Sequence, residues 1–413
     1  MLYRRILLLL IIISGSIACT EQRKKKTVHD AFLPELIQFK IEKPNVAALK
    51  PLLLSCFVDS VWYLQLETSR RCLLPPRVGL YKTNDFIFTT TRNEIYQFDS
   101  NGNFVRQIGS EGKGPGEFRL NKCGFDDDNR RITVMSHYTT SPLVFDFNGK
   151  FLENINDSLI TSCYGSLELF DAGNGFFIYV NQPMDVNHQW GCKPYELVVY
   201  DFEKNRVTQT LTNQLTCEVE NERHYNSVRP SLQLLTRYDS LFYYKSFYND
   251  TLYSVNSNNI KPFAIIDFGD LKFPGNTLYS PNNNIFQLEM VGKMRIIEMI
   301  IKKNFIFFEV LLHKAQGVDA FICKYDVTSG ELTYHTNLII NDIDGGQNMY
   351  LKDLLKGMTC VLFQNDFLEE LDKKRVFSTL NNTELKYPEL KGNFEDLQKN
   401  RKDELNPMLM IYN

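Results

Sequence analysis

From about residue 60 onward, short apolar runs alternate with turn chemistry. Asp85-Phe86-Ile87-Phe88-Thr89-Thr90 is rich in β-branched and aromatic side chains, which suit a pleated, half-buried surface. Glu94-Ile95-Tyr96-Gln97-Phe98-Asp99 follows, then Ser100-Asn101-Gly102-Asn103, then Phe104-Val105-Arg106-Gln107-Ile108. Asn-Gly tolerates the positive φ of a tight turn, so the last two runs read as a hairpin. The same phrase returns at Leu143 to Leu152, at Leu197 to Val207 and at Phe321 to Leu332: an apolar run, an aromatic residue followed by Asp, a turn, and a new run. Phe98, Phe145, Tyr200 and Tyr325 lie 47, 55 and 125 residues apart, and Leu241 to Val255 fits a further copy inside the long gap. A four-strand unit recurring every roughly 40 to 50 residues predicts an all-β fold, a six-bladed β-propeller with four-stranded antiparallel blades. One thin twisted sheet cannot hide both of its faces, whereas sheets arranged around a ring cover each other and leave only short edges. A β-sandwich or an open solenoid built from the same hairpins is the alternative architecture.

Some stretches break this rhythm. Ile285, Leu288, Val291, Met294 and Ile297 recur mostly at threefold spacing and predict a helix over Ile285 to Lys303. Glu395 to Asn400 suits a short amphipathic helix and Pro407 to Tyr412 a last strand. At the other end, Arg4 and Arg5 precede an apolar run, Leu7 to Ile13, that is too short to span a bilayer and reads as an export signal. Ser16-Ile17-Ala18-Cys19 resembles the lipobox of bacterial lipoproteins, in which the Cys is acylated and becomes the new N-terminus. The expected organisation is a signal peptide over 1–18, a lipid-anchored tether over 19–49, a propeller over 50–390, and a C-terminal helix and strand extension over 391–413 packing on the propeller.

Charge changes the picture little. Lys+Arg number 46 and Asp+Glu 49, a net charge of −3 that becomes 44 − 49 = −5 once Arg4 and Arg5 are removed with the signal. This balance argues against nucleic acid as a partner. Nine Cys include no C-x-x-C pair, and most sit in strand-like runs as expected of buried thiols.

Candidate chemistry is sparse. Gly112, Gly114 and Gly116 lack the spacing of a phosphate loop and Pro115 removes a donor, so an inter-blade turn is the expectation. Asp126-Asp127-Asp128-Asn129 lacks the EF-hand order, and Asp342 with Asp344 forms a weak oxygen-ligand pair; solvated turns are expected at both. The six His are at least 22 residues apart, although a central channel could gather them. No catalytic residue, metal ligand or cofactor is predicted. The long connection around His188 and Trp190, and Arg229 ahead of a strand, are the expected ligand-binding positions, and Cys19 the lipidation site.

The phrase Ile108-Gly109-Ser110-Glu111-Gly112-Lys113-Gly114-Pro115-Gly116-Glu117-Phe118, set just after the Asn-Gly hairpin, resembles a blade junction of the six-bladed β-propeller lipoproteins of Bacteroidota, relatives of the NHL-repeat propellers. Tyr63 to Thr68, Asn249 to Tyr253, Asp342 to Gly346 and Asn406-Pro407 resemble further phrases of that family. The chain departs after Gly346, where the family continues with an aromatic-Pro pair and Gln347-Asn348 stands here. The resemblance implies the propeller fold and an envelope location. The expected function is a lipoprotein on the periplasmic face of the outer membrane, held there through Cys19, whose propeller is a non-enzymatic scaffold for a protein, peptide or glycan. The alternative is a lyase or hydrolase acting on glycans or lactones in the channel.

Overall fold

The computed structural model describes residues 36–75, 78–91, 93–162, 168–173, 175–180, 195–213, 234–238, 241–245, 249–273, 289–356, 358–360, 385–386 and 406–412. The signal peptide, Cys19 and the first part of the tether lie outside these residues. Among the described residues no helix is long and apolar enough to cross a membrane.

Three short strands come first: β1 (Ile37–Lys40), β2 (Lys50–Leu53) and β3 (Val61–Gln65). The regular units follow. Sheet 1 is β4 (Gly79–Lys82), β5 (Phe86–Thr90), β6 (Ile95–Asp99) and β7 (Phe104–Ile108); sheet 2 is β8 (Leu120–Asp126), β9 (Arg131–Ser136), β10 (Leu143–Asp146) and β11 (Phe151–Asn154). Sheet 3 is β12 (Glu168–Gly173), β13 (Phe176–Val180), β14 (Tyr195–Asp201) and β15 (Arg206–Thr212); sheet 4 is β16 (Leu235–Tyr238), β17 (Leu241–Lys245), β18 (Thr251–Val255) and β19 (Ile260–Asp267). Sheet 5 is β20 (Met294–Lys302), β21 (Phe305–His313), β22 (Val318–Asp326) and β23 (Leu332–Ile340), with β24 (Met349–Tyr350) on β23. A last sheet joins β25 (Met358–Cys360), β26 (Met408–Tyr412) and β3.

Burial explains why these thin sheets hold. Ile95 and Ile108 of sheet 1 pack with Val134 and Phe145 of sheet 2, and Met135 and Val144 on the other face of sheet 2 pack with Val198 and Tyr200 of sheet 3. Val199 meets Phe242 and Tyr244 of sheet 4; Tyr243 and Ile266 meet Phe308 and Phe321 of sheet 5. Phe307 and Ile322 meet Val61 and Met410 of the last sheet, whose Leu409 and Ile411 meet Ile87 and Phe98 back in sheet 1. Each interface is lined by buried apolar side chains, each large one contributes about 1.5 to 3 kcal/mol, and the succession returns to its start. First strands of neighbouring sheets touch, β8 against β12, β16 against β20 and β4 against β25, which places them nearest the common axis. The fold is all-β and propeller-like.

Six four-stranded blades were expected. Five sheets carry four or more strands and the last carries three, so the described residues give five complete blades. The three-stranded sheet draws on both ends of the chain: β26 pairs with β25 on one side and with β3 on the other. The C-terminal segment is thus a central strand of a sheet and not an appendage, while Glu395 to Asn400 lies outside the described residues. The tether expected over 19–49 is already folded by Ile37. There β1 adds in parallel to the outer edge of β19, and β2 adds in parallel to the outer edge of β23. The helix expected over Ile285 to Lys303 is replaced from Met294 on by β20. Its residues are buried on both faces, and a bulge between Ile296 and Glu298 breaks the twofold alternation that would have marked a strand.

The recurring aromatic-Asp phrase is a turn device. Asp99 Oδ1 accepts the N–H of Asn101 and of Asn103, each at 2.9 Å, between the third and fourth strands of sheet 1. Asp146 does the same for Asn148 and Lys150, Asp201 for Glu203 and Lys204, and Asp326 for Thr328 and Ser329. Asn256 takes the role in sheet 4. Burial alone would raise the Asp99 carboxyl, but the bonds from Asn103, Asn101 and Gly102 outweigh it and lower the pKa. Gly102 supplies the left-handed residue, with φ at +82°. Cys56, Cys72, Cys123, Cys323 and Cys360 are unbridged; Cys72, Cys123 and Cys323 are buried, and burial pushes the Cys323 thiol up.

Candidate functional site

The last sheet meets sheet 1 along a seam, and the segment that leaves β3 is fastened there. Glu67 N–H donates to Gly102 O at 2.8 Å, and the Glu67 carboxylate accepts the N–H of Phe104 at 2.9 Å. Asn406, from the far end of the chain, donates to Glu67 O and Cys72 O and accepts the N–H of Leu74 at 2.8 Å. Fastened on both sides, the segment presents Arg70, Arg71 and Leu73 to solvent, Leu73 with 65% of its surface exposed.

Beside it opens a cleft of about 580 Å³ lined by Arg70, Arg71, Glu94, Tyr96 and the β7 residues Phe104 to Gln107. Arg71 lies over the Phe104 ring at 5.1 Å. Tyr96 donates its phenol to Glu94 Oε2 at 2.6 Å, and burial together with that carboxylate pushes the phenol up. Arg106 donates Nη1 to Asn148 O at 2.9 Å, and its Nε has no hydrogen-bond partner among the described residues. Neither Arg70 nor Arg71 has a carboxylate partner among the described residues. Three guanidinium groups therefore border the cleft against the single carboxylate of Glu94, on a chain whose net charge is −3. A planar guanidinium binds carboxylate, sulfate or phosphate through paired N–H donors, so the arrangement suits an anion. Elsewhere on the last sheet, Trp62 of β3 keeps 38% of its surface exposed and carries the Lys82 ammonium 5.8 Å from its ring.

Other titratable groups are engaged inside the fold. Lys245 ends β17 fully buried and donates to Asn249 O; burial pushes its ammonium down to about 8, and Asp250 and Glu196 only partly offset this. Tyr244 donates to the buried Glu196 across the interface of sheets 3 and 4, at 3.3 Å. Asp342 and Asp344, expected as a solvated turn, are buried and bonded instead. Ser55 donates N–H and Oγ–H to Asp342 at 2.9 and 2.6 Å, and Tyr63 donates to Asp344 at 3.0 Å. Asp126 accepts two bonds from Asn129 and closes its own turn. Among the described residues no group of three or more His, Cys, Asp or Glu could hold a metal ion. The Gly-rich phrase joins sheet 1 to sheet 2 as expected of an inter-blade turn. Its Glu117 carboxylate accepts the Gly114 N–H, and a Cβ at Gly112 would stand 1.9 Å from it.

His188, Trp190 and Arg229 lie outside the described residues, as does Cys19. The strand ends bracketing 181–194 and 214–233 are held by described pairs, Val180 with Leu197, Tyr195 with Thr212 and Leu235 with Tyr244, at the end of sheets 3 and 4 where Glu196 and Lys245 are buried. The cleft was not among the expected sites. Its one sequence signal is the adjacent pair Arg70-Arg71 between a strand and Pro75-Pro76.

Residues 36–413 match a domain family of unknown function, DUF4934. A protein from Bacteroides fragilis NCTC 9343 described as exported has a solved structure with a TM-score of 0.53 and 17% identity, over 92% of this chain and 99% of that one. This likeness is one of fold. A member of the DUF4221 family from Bacteroides vulgatus ATCC 8482 is more distant, with a TM-score of 0.40 and 12% identity over 68% of this chain and 86% of that one. No curated protein matches the chain.

Proposed function

The chain belongs to the DUF4934 family, and from that premise we propose that it is an envelope lipoprotein whose propeller is a binding scaffold for an anionic protein, peptide or glycan. The arginine-lined cleft carries this reading: three guanidinium groups, of which Arg70 and Arg71 have no carboxylate partner among the described residues, stand against one carboxylate and beside an exposed Leu, and offer charge and apolar area together. The last sheet acts as a sixth blade, closing the ring with strands from both chain ends. The similar B. fragilis structure, described as exported, fits the export signal read at 1–18. Cys19 carries the acyl chains and anchors the chain to the periplasmic face of the outer membrane. Two or more chains hold stably because each buried CH₂ contributes about 0.8 kcal/mol. From Cys19 to Leu36 the tether reaches at most roughly 60 Å.

Two measurements test this. The full-length chain should be retained on an immobilised polyglutamate resin at low salt, and the Arg70→Ala, Arg71→Ala double variant should pass through. Equal retention of both would refute the cleft as the seat. Separately, Cys19→Ala should move the chain from the membrane fraction to the soluble one and abolish labelling by radioactive palmitate; a variant that stays with the membrane would remove the lipid anchor from the reading.

A further inference from the structure

We infer that the outer edge of β7 accepts an extended acidic segment of a partner protein as an additional strand of sheet 1. The inference rests on the cleft being an anion seat and adds how the ligand is held. The fold already uses this mode twice. Sheets 4 and 5 each receive an extra strand from the chain's own N-terminal segment, β1 on β19 and β2 on β23, both at the outer edge. In sheet 1 the corresponding edge belongs to β7, and among the described residues no strand pairs with it there. An exposed strand edge presents backbone donors and acceptors that an incoming strand can satisfy.

The beginning of this edge shows the chemistry it favours. The chain's own Glu67 runs alongside, bonded through its N–H to Gly102 O and through its carboxylate to the Phe104 N–H. An acidic residue on an extended segment thus already occupies the first position. Beyond it, Phe104 to Gln107 form one wall of the cleft and Arg70 and Arg71 the other. β11 and β15 also have outer edges without a strand among the described residues, but β7 is the one running along this cleft. A segment pairing with β7 would lay alternate side chains toward Arg70 and Arg71, which selects acidic residues at every second position. A glycan could meet the same guanidinium groups but could not use the strand edge.

The test uses the full-length chain in detergent and a fluorescein-labelled peptide alternating Glu and Val, read by anisotropy. Three controls accompany it: the same peptide N-methylated at alternate residues, a Lys/Val counterpart, and a sulfated tetrasaccharide. The Glu/Val peptide should bind, protect from hydrogen exchange those amides of Val105 to Gln107 that face away from β6, and lose about tenfold in affinity with Arg70→Ala, Arg71→Ala, as expected of two exposed ion pairs. N-methylation should weaken it at least as much, and the Lys/Val peptide should not compete. Equal binding of the N-methylated peptide, or tetrasaccharide binding without peptide binding, overturns strand addition while leaving the anion seat intact. Equal binding of the Lys/Val peptide overturns the charge argument. Failure of every anionic probe overturns both this inference and the function proposed above.

Discussion

Replacing Asn406 with Ala is expected to destabilise the fold by about 3 to 5 kcal/mol. Asn406 is buried, and its amide stands at the junction of the two chain ends. It donates to Glu67 O and Cys72 O at 2.5 and 2.6 Å and accepts the Leu74 N–H at 2.8 Å. Alanine takes the amide away from Cys72 O and the Leu74 N–H and leaves Glu67 O only the weak Cys72 Sγ–H donor at 3.3 Å, and each buried unsatisfied group costs about 1 to 3 kcal/mol. Total stability of ordinary domains is only about 5 to 15 kcal/mol, so the loss approaches the whole. Two further bonds run through the backbone of Asn406, from its N–H to Thr68 Oγ and from Gln65 Nε2 to its C=O, and these survive the substitution. Asn406→Asp separates the amide from the space it fills: the carboxylate can still accept from Leu74 but faces two carbonyl oxygens without a donor. It should be no better than alanine. Urea unfolding of the three proteins decides this; a loss below about 1 kcal/mol for Asn406→Ala would mean that water enters and replaces the amide.

The junction also shows how far the sequence is readable. The hairpins are legible because each depends on a local device: an Asp two residues ahead of the N–H it accepts, followed by a residue that tolerates positive φ. The strands flanking them follow from alternation, and so does the repeat. What is not legible is non-local. β1 alternates, Ile37 and Phe39 against Gln38 and Lys40, but it and β2 lie in a stretch with Pro44 and Pro51 and pair in parallel with edge strands far along the chain, so no local turn signal marks the pairing. β20 looks helical because both of its faces are covered, so the polar half of a strand pattern is missing. The cleft escapes for a related reason. Arg70 and Arg71 stand 36 and 35 residues from Arg106 in sequence and meet only because sheet 1 and the last sheet share a seam. The aspartates at 342 and 344 illustrate the opposite error. Composition marks them as turn residues, yet the partners that allow their burial, Ser55 and Tyr63, come from the other end of the chain.

Glu309→Gln is expected to stabilise the protein at alkaline pH and to leave it nearly unchanged in acid. Glu309 lies in the middle of β21, buried in sheet 5, with Glu298 opposite on β20 and Ile322 opposite on β22. Burial raises its carboxyl from 4.5 to about 7; Asn337 and Lys352 pull it down and Asp353 pushes it up, but burial prevails. In the unfolded chain the group loses its proton near pH 4.5, whereas the fold holds the proton until about 7. Stability therefore declines as pH rises from about 4.5 to about 7 and is level above that. Over that interval of 7 − 4.5 = 2.5 pH units the ionised side chain costs up to roughly 3 kcal/mol. Glutamine keeps the shape and an acceptor for Asn337 without the charge. For a chain of this size the relief corresponds to a Tm gain on the order of 5 °C at pH 8, shrinking to under about 2 °C at pH 5. Thermal unfolding of both proteins across this range measures the difference. A gap that does not change with pH would assign the effect to packing, and a gap that widens toward acid would mean that the carboxylate is stabilised in the fold and not its protonated form.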